Sequence, residues 1–242
     1  MVHICDIHSH ILPGVDDGCK DVAETLQVLQ SAREQGVNDI IATPHFYSYR
    51  ENADAFLQRR NAAFELLKPQ LPADMRICLG AEVAYFNDIS RSEDLTRLCL
   101  GNSRYLLLEL PFTPWNSNLF RELQNLAYIR GVIPVLAHIE RYIGIQSKQA
   151  LRQVLELGLP VQMNAEHLLR FRCAFQARRL LKNGTVQLLG SDCHNSTVRS
   201  YNLGKAVEHL QKHRMPRQLN DAAAFSREIF ERAYGQDAPH YL

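Results

Sequence analysis

Seven times along the chain a short apolar run is followed by a segment with helical spacing, and this alternation restricts the fold more than any other feature. The runs are Val2–Ile7, Val37–Thr43, Met75–Val83, Arg104–Leu110, Val132–His138, Pro160–Asn164 and Thr185–Gly190. Runs apolar throughout, rather than at every second residue, belong to strands buried on both faces, as in a parallel sheet covered by helices. The helical segments are Asp21–Gln35, Asn52–Lys68, Ile89–Leu100, Leu119–Arg130, Ser147–Leu157, His167–Lys182 and Leu203–His213, and Pro216–Ala233 closes the chain. Asp21 and Glu24 have the spacing of a capping box, and Gly36, Gly131, Gly158 and Gly184 stand where helices end. An open doubly wound sheet would call for Gly-x-Gly-x-x-Gly after the first strand, and none is present. The expectation is an α/β fold closed into a seven-stranded (β/α)7 barrel, TIM-like, with residues 1–242 as one domain.

The carboxyl ends of these runs carry an unusual set of side chains. His8 and His10 end the first, His45 follows the second, Glu82 lies in the third and Glu109 in the fourth; His138 ends the fifth, and Asp192 and His194 follow the seventh. Residues i and i+2 of a strand point to one face, so His8 and His10 can aim two imidazoles at one point. The Pro13-Gly14 turn lets Asp16 or Asp17 return to the same place. A polar barrel mouth tolerates one or two such groups. Nine convergent donors without a cation would repel one another or carry displaced pKa values. They are also too many for one ion, so two or three divalent ions are expected. A donor set without thiolate suits manganese, iron or zinc. Clustered ions bridged by carboxylates suit phosphoester hydrolysis, because they acidify bound water and clamp both the attacking and the leaving oxygen. Arg141, three residues after His138, and Arg199, five after His194, offer planar guanidinium groups for phosphate.

Several classes are disfavoured. A net charge of +1 without a long basic run gives no footprint for nucleic acid. No apolar stretch reaches membrane-spanning length, and the start lacks the pattern of a signal peptide. The six cysteines include no Cys-x-x-Cys pair, which fits a reducing cytoplasm. Cys173 and Arg179 match the Cys-x5-Arg spacing of cysteine-dependent phosphatases, but the segment has no glycine to let amides cradle a phosphate. It reads as a helix with a basic face. His209 and His213, four apart on a helix, lack a carboxylate in register, and His167 is placed near the rim.

Taken in order, Asp-Ile-His-Ser-His (6–10), Asp-Asp-Gly (16–18), Thr-Pro-His (43–45), Gly-Ala-Glu (80–82), Leu-Glu-Leu-Pro (108–111), Ala-His-Ile-Glu-Arg-Tyr (137–142) and Ser-Asp-Cys-His-Asn (191–195) resemble the polymerase and histidinol phosphatase (PHP) family. Within it they are similar to the bacterial manganese-dependent protein-tyrosine phosphatases of capsule and exopolysaccharide operons, over residues 3–215. The resemblance implies a distorted seven-stranded barrel of PHP type and a trinuclear site. It also implies dephosphorylation of a partner tyrosine kinase on its tyrosine-rich tail. Carried over by motif, the metal ligands are His8, His10, Asp17, His45, Glu82, Glu109, His138, Asp192 and His194, with manganese as the metal and iron or zinc as alternatives. Arg141 and Arg199 hold the substrate phosphate. A small-molecule phosphomonoesterase, such as a histidinol-phosphate phosphatase, is the alternative. The oligomeric state and any role of the loop Phe46–Tyr49 stay open.

Overall fold

In the computed structural model, which describes residues 2–235, short parallel strands alternate with helices along the chain. The strands are β1 (Asp6–Ser9), β2 (Asp39–Ala42), β3 (His45–Phe46), β4 (Arg76–Leu79), β5 (Glu82–Ala84), β6 (Tyr105–Glu109), β7 (Ile133–Leu136), β8 (Gln162–Asn164) and β9 (Leu188–Gly190). The helices are α1 (Val22–Glu34), α2 (Ala53–Leu67), α3 (Leu95–Leu98), α4 (Ser117–Asn125), α5 (Lys148–Leu155), α6 (Ala165–Leu169), α7 (Ala174–Lys182), α8 (Leu203–Lys212) and α9 (Pro216–Tyr234).

Every ladder is parallel. The sheets run β1-β2-β4, β3-β5-β6-β7 and β8-β9. Single parallel bridges join Leu136 to Val161 and Ser9 to Cys193, so β7 meets the start of β8 and β1 meets the chain just beyond β9. The molecule is a mixed α/β fold of parallel sheets.

Of the seven expected strands, the third is divided in two, and the second is followed by an additional short strand, β3. Thr43-Pro44 separates β2 from β3, where proline has no N–H to give to a ladder. The third breaks at Gly80-Ala81. There a Cβ on Gly80 would lie 2.8 Å from a Leu100 methyl, so a larger residue would have to displace that side chain. Across both breaks the chains stay joined, with Gly80 N–H donating to Ala42 O (2.8 Å) and Glu82 N–H to Pro44 O (3.1 Å).

Side chains on the strands divide with period two between two buried clusters. Ile41, Leu107, Val135 and Leu188 pack against Ile229, Phe230 and Ala233 of α9, whereas Ile40, Leu106, Leu136 and Leu189 join the larger cluster under the other helices. Both faces are therefore dry, as the unbroken apolar runs require. Burying Ile229 and Phe230 stabilises α9 on the sheet by about 1.5–3 kcal/mol each.

The helix signals hold in part. Asp21 caps α1 by accepting from Glu24 N–H (2.8 Å), but Glu24 turns its carboxylate to Lys20 N–H (3.1 Å) instead of closing the box. Residues 89–100 are not one helix. A single turn at Ile89–Arg91 ends at Ser92 in extended backbone, and α3 adds one further turn. Buried Glu122 pins this segment by accepting from Ser90 N–H (2.9 Å), a first-turn donor with no helical partner of its own. The expected helix His167–Lys182 is broken between α6 and α7, because Arg170 is extended (ψ 118°).

Candidate metal centre

The strands deliver their polar residues to one end. His8 lies inside β1, which runs on to Ser9 instead of ending at Ile7, and His10 just beyond it; both are fully buried, with their Nε2 atoms 3.3 Å apart. Their far nitrogens are held from behind. His8 Nδ1 meets Gln162 Oε1 at 3.2 Å and His10 Nδ1 meets Asp16 Oδ2 at 2.7 Å, so both Nε2 lone pairs face inward. Asp16 also accepts from the backbone N–H of His45 and of Gly18 (both 2.9 Å). Gly18 is needed for this: a Cβ there would sit 2.1 Å from His10 O. Of the two aspartates left open by the turn, Asp16 is thus a brace. Asp17 puts Oδ1 3.5 Å from both His45 Nε2 and His194 Nε2.

Glu82 is the hub. Its buried Oε2 lies 2.9 Å from His45 Nδ1, 3.2 Å from His10 Nε2 and 3.3 Å from His8 Nε2, while Oε1 is 2.8 Å from His138 Nε2. Glu109 Oε1 stands 3.4 Å from the same His138 nitrogen. Opposite, Asp192 Oδ1 is 3.5 Å from Nε2 of both His8 and His10 and 2.7 Å from Arg199 Nη2. Asp192 Oδ2 accepts from Arg141 and, at 2.6 Å, from Asn164 Nδ2. His138 (φ 34°) and Asp192 (φ 49°) are two of the four non-glycine residues with left-handed backbone among the described residues. Such backbone costs about 1–3 kcal/mol per residue and persists where the surroundings demand it.

All nine expected ligands and both arginines therefore meet at one mouth. Within it, His8, His10 and Glu82, then His10, Asp17, His45 and His194, then His45, Glu82 and Glu109 form three overlapping groups whose donor atoms lie within 4.8 Å of one another. Several donors lack any other partner. Glu82 Oε2, His45 Nδ1 and His194 Nε2, which face this cluster, are buried without a hydrogen bond among the described residues. Buried polar atoms are normally satisfied, and a cation shared by inward lone pairs would satisfy these. The donors are imidazole nitrogens and carboxylate oxygens, the set that fits manganese, iron or zinc.

The electrostatics show the same crowding. Burial disfavours charge on His10, yet the hydrogen bond to Asp16 and the negative charge of Glu82 win and raise its pKa to about 10. His138 rises to about 9 in the same way, burial opposing and Glu109 and Glu82 prevailing. For Glu82, burial is outweighed by the neighbouring imidazoles, which hold its carboxyl well below the usual range. His194 falls to about 3 through burial and repulsion from His10.

Sequence reasoning missed the bracing layer. Gln162 holds His8 and accepts from His138 N–H (2.7 Å), and Asn164 holds Asp192. A signal existed, since Gln162 and Asn164 end a strand at the same i, i+2 spacing as His8 and His10. The other singled-out residues stay outside the cluster. His167 meets Gln176 (3.3 Å), and His213 meets His209 O (2.8 Å). Cys173 precedes α7, and Arg179 lies on that helix. A fourth group, His3, Cys5 and Asp39, is distant in character: Arg76 already clasps Asp39 with two bonds of 2.7 and 2.6 Å, and burial keeps the Cys5 thiol protonated.

Parallel strands whose carboxyl ends gather imidazoles and carboxylates around two arginines define an α/β protein built to bind metal. More narrowly, the chain belongs to the CpsB/CapC capsular polysaccharide synthesis family, whose pattern matches residues 4–224. Its relatives include the tyrosine-protein phosphatase YwqE of Bacillus subtilis, 31% identical over 86% of this chain and 84% of the relative. The tyrosine-protein phosphatase CpsB of Streptococcus pneumoniae is 31% identical, covering 86% of this chain and 89% of its own. The solved structures of YwqE and of CpsB from S. pneumoniae, described as unique metal-dependent tyrosine phosphatases, include a chain that superposes with TM-score 0.79 at 25% identity, covering 95% of both.

Proposed function

We propose that this chain is a metal-dependent protein-tyrosine phosphatase acting in capsule or exopolysaccharide synthesis. Its proposed ligands are His8, His10, Asp17, His45, Glu82, Glu109, His138, Asp192 and His194, for two or three divalent ions with manganese first. The observation that carries the reading is the convergence of three imidazole nitrogens within 2.9–3.3 Å of Glu82 Oε2, an atom with no hydrogen bond among the described residues. The fold is read as a distorted seven-stranded barrel of PHP type, one domain, with β2–β3 and β4–β5 each counted as one strand. The bridges at Leu136–Val161 and Ser9–Cys193 support a closed ring.

When bound, such ions acidify water toward a pKa of about 7 and withdraw charge from phosphoryl oxygens. The chain's own residues supply the rest. Arg141 and Arg199 hang from Asp192 with their guanidinium groups partly exposed, positioned to bind the phosphate. Asn164 fixes Asp192 so that both arginines keep one orientation. Gln162 and Asp16 hold His8 and His10 with Nε2 free. The leaving phenol, with a pKa of about 10, departs with modest assistance.

The natural substrate in this reading is the phosphorylated tyrosine-rich tail of a bacterial tyrosine kinase, in a reducing cytoplasm where the six free thiols persist. No helix among the described residues is long and apolar enough to cross a membrane. The test uses protein stripped by chelation and reloaded with Mn²⁺, assayed on phosphotyrosine peptide, phosphoserine peptide and histidinol phosphate. Metal-dependent preference for the first is expected. Preference for histidinol phosphate would move the substrate to a small molecule while leaving the metal centre in place.

A further inference from the structure

Beside the metal centre the chain builds an aromatic ladder that metal binding does not require. The Tyr47 ring stacks on His45, with centroids 5.2 Å apart and planes inclined by 29°. The Tyr49 ring continues outward, its centroid 5.6 Å from that of Tyr47. The Arg50 guanidinium lies over both rings, 4.6 Å from the Tyr47 centroid and 5.5 Å from that of Tyr49. Tyr47, Arg50, Asp17 and His45 line one cavity of about 370 Å³. Tyr49 closes the edge of a second cavity of about 380 Å³, whose walls include Tyr85, Phe86, Pro111 and Trp115.

Packing does not account for Tyr49. It is 76% exposed, among the most exposed large side chains of the molecule. A flat apolar ring held in water by an arginine, one step from a phosphate-binding mouth, is a surface shaped for another ring. Offset or edge contacts between aromatic rings add about 0.5–1.5 kcal/mol beyond burial, which corresponds to roughly two- to tenfold in binding.

We propose that Tyr47, Tyr49 and Arg50 form the aryl-binding wall of the site and select phosphate esters of phenols over those of alkyl alcohols. The inference rests on the phosphatase reading and assigns residues to its specificity. The physical basis is reach. The ladder extends two rings outward from His45, so an ester whose phosphate reaches the metal centre lies alongside it only if a ring separates phosphate from backbone. A phosphoserine, with one methylene, would have to bring its backbone down to Tyr47 and would leave Tyr49 uncovered. Arg50, cationic and free of an acidic partner among the described residues, faces the same dianionic ester. The second cavity then takes the residue flanking the tyrosine.

The test compares wild type with Tyr49→Ala, Tyr47→Ala and the ring-conserving Tyr49→Phe, all loaded with Mn²⁺. The readout is the ratio of kcat/KM for a phosphotyrosine peptide to that for the matched phosphoserine peptide. A second readout is the ratio of Kd for a benzylic phosphonate peptide to that for an alkyl phosphonate, which needs no turnover. Tyr49→Ala is expected to lower the kcat/KM ratio and to raise the Kd ratio, each about three- to tenfold, and Tyr49→Phe to restore both. Metal content and melting temperature identify a Tyr47→Ala protein that has lost its centre, in which case Tyr49→Ala alone decides. Unchanged ratios in Tyr49→Ala, with wild type active on phosphotyrosine, overturn the inference and spare the phosphatase reading. A wild type that hydrolyses no aryl phosphate overturns both.

Discussion

Glu82→Gln isolates the hub with the smallest change of shape, removing a charge and keeping the volume. In the metal-free protein this carboxylate faces three imidazoles through Oε2 and a fourth through Oε1. His10 and His138 owe their raised pKa values in part to it. Removing one partner of a buried ionic network costs about 3–5 kcal/mol, because the remaining charge has neither water nor counter-ion. For a chain of this length each kcal/mol moves the melting point by about 2–4 °C, so chelator-treated Glu82→Gln is expected to melt roughly 6–20 °C below wild type. Mn²⁺ at 100 times its Kd adds about 2.7 kcal/mol to wild type. That is a rise of about 5–11 °C, and the variant should lose most of it. Scanning calorimetry of both proteins, each in chelator and in excess Mn²⁺, reads all four values. If the variant melts within about 2 °C of wild type in chelator and still gains the full shift with Mn²⁺, Glu82 is neither the electrostatic centre nor a ligand, and the argument built on it fails.

Arg141→Lys keeps the charge but loses the planar fork over Asp192. It should lower kcat/KM on phosphotyrosine peptide by about 10²-fold or more, the scale for losing one transition-state donor; steady-state kinetics at matched metal content checks this. The metal-free protein should lose stability as pH rises. His10 (about 10) and His138 (about 9) both exceed the unfolded histidine value of about 6.5, so their contribution is complete below pH 6.5 and disappears as pH passes through 9 to 10. Over that interval Mn²⁺ should bind more tightly and release protons, visible as a buffer-dependent heat in titration calorimetry, whereas affinity independent of pH would contradict the assignment. Cys173→Ser should keep full phosphatase activity in the presence of a thiol alkylating reagent, and a loss of more than a few-fold would revive a thiolate mechanism.

What could be read from the sequence followed from which physical rule was in play. The inward donors were legible because each ends a run that has every other reason to be apolar, as Glu82 and His138 do. Asp17 could not be told from Asp16 by spacing, since the choice depends on Gly18 letting the loop lie against His10 O, a contact between chain segments. The braces Gln162 and Asn164 were passed over because uncharged amides at a strand end raise no electrostatic alarm. Strand breaks at Pro44 and Gly80 arise where one sheet gives way to the next; the proline was visible, but its consequence depended on which neighbour stood alongside. The segment 89–100 has helical composition, and its break at Ser92, in extended backbone, carries no mark in the sequence. Tyr47 and Tyr49 were visible as an aromatic loop, but their stacking onto His45 is a tertiary fact.

The claim on which the account depends is that this mouth holds several divalent cations at once. Diffraction from crystals grown with Mn²⁺, collected on both sides of the manganese absorption edge, locates them directly. Two or three anomalous peaks enclosed by His8, His10, Asp17, His45, Glu82, Glu109, His138, Asp192 and His194 is the expected result. An absence of anomalous signal among these side chains, in crystals of protein that still hydrolyses phosphotyrosine after chelation, would contradict it.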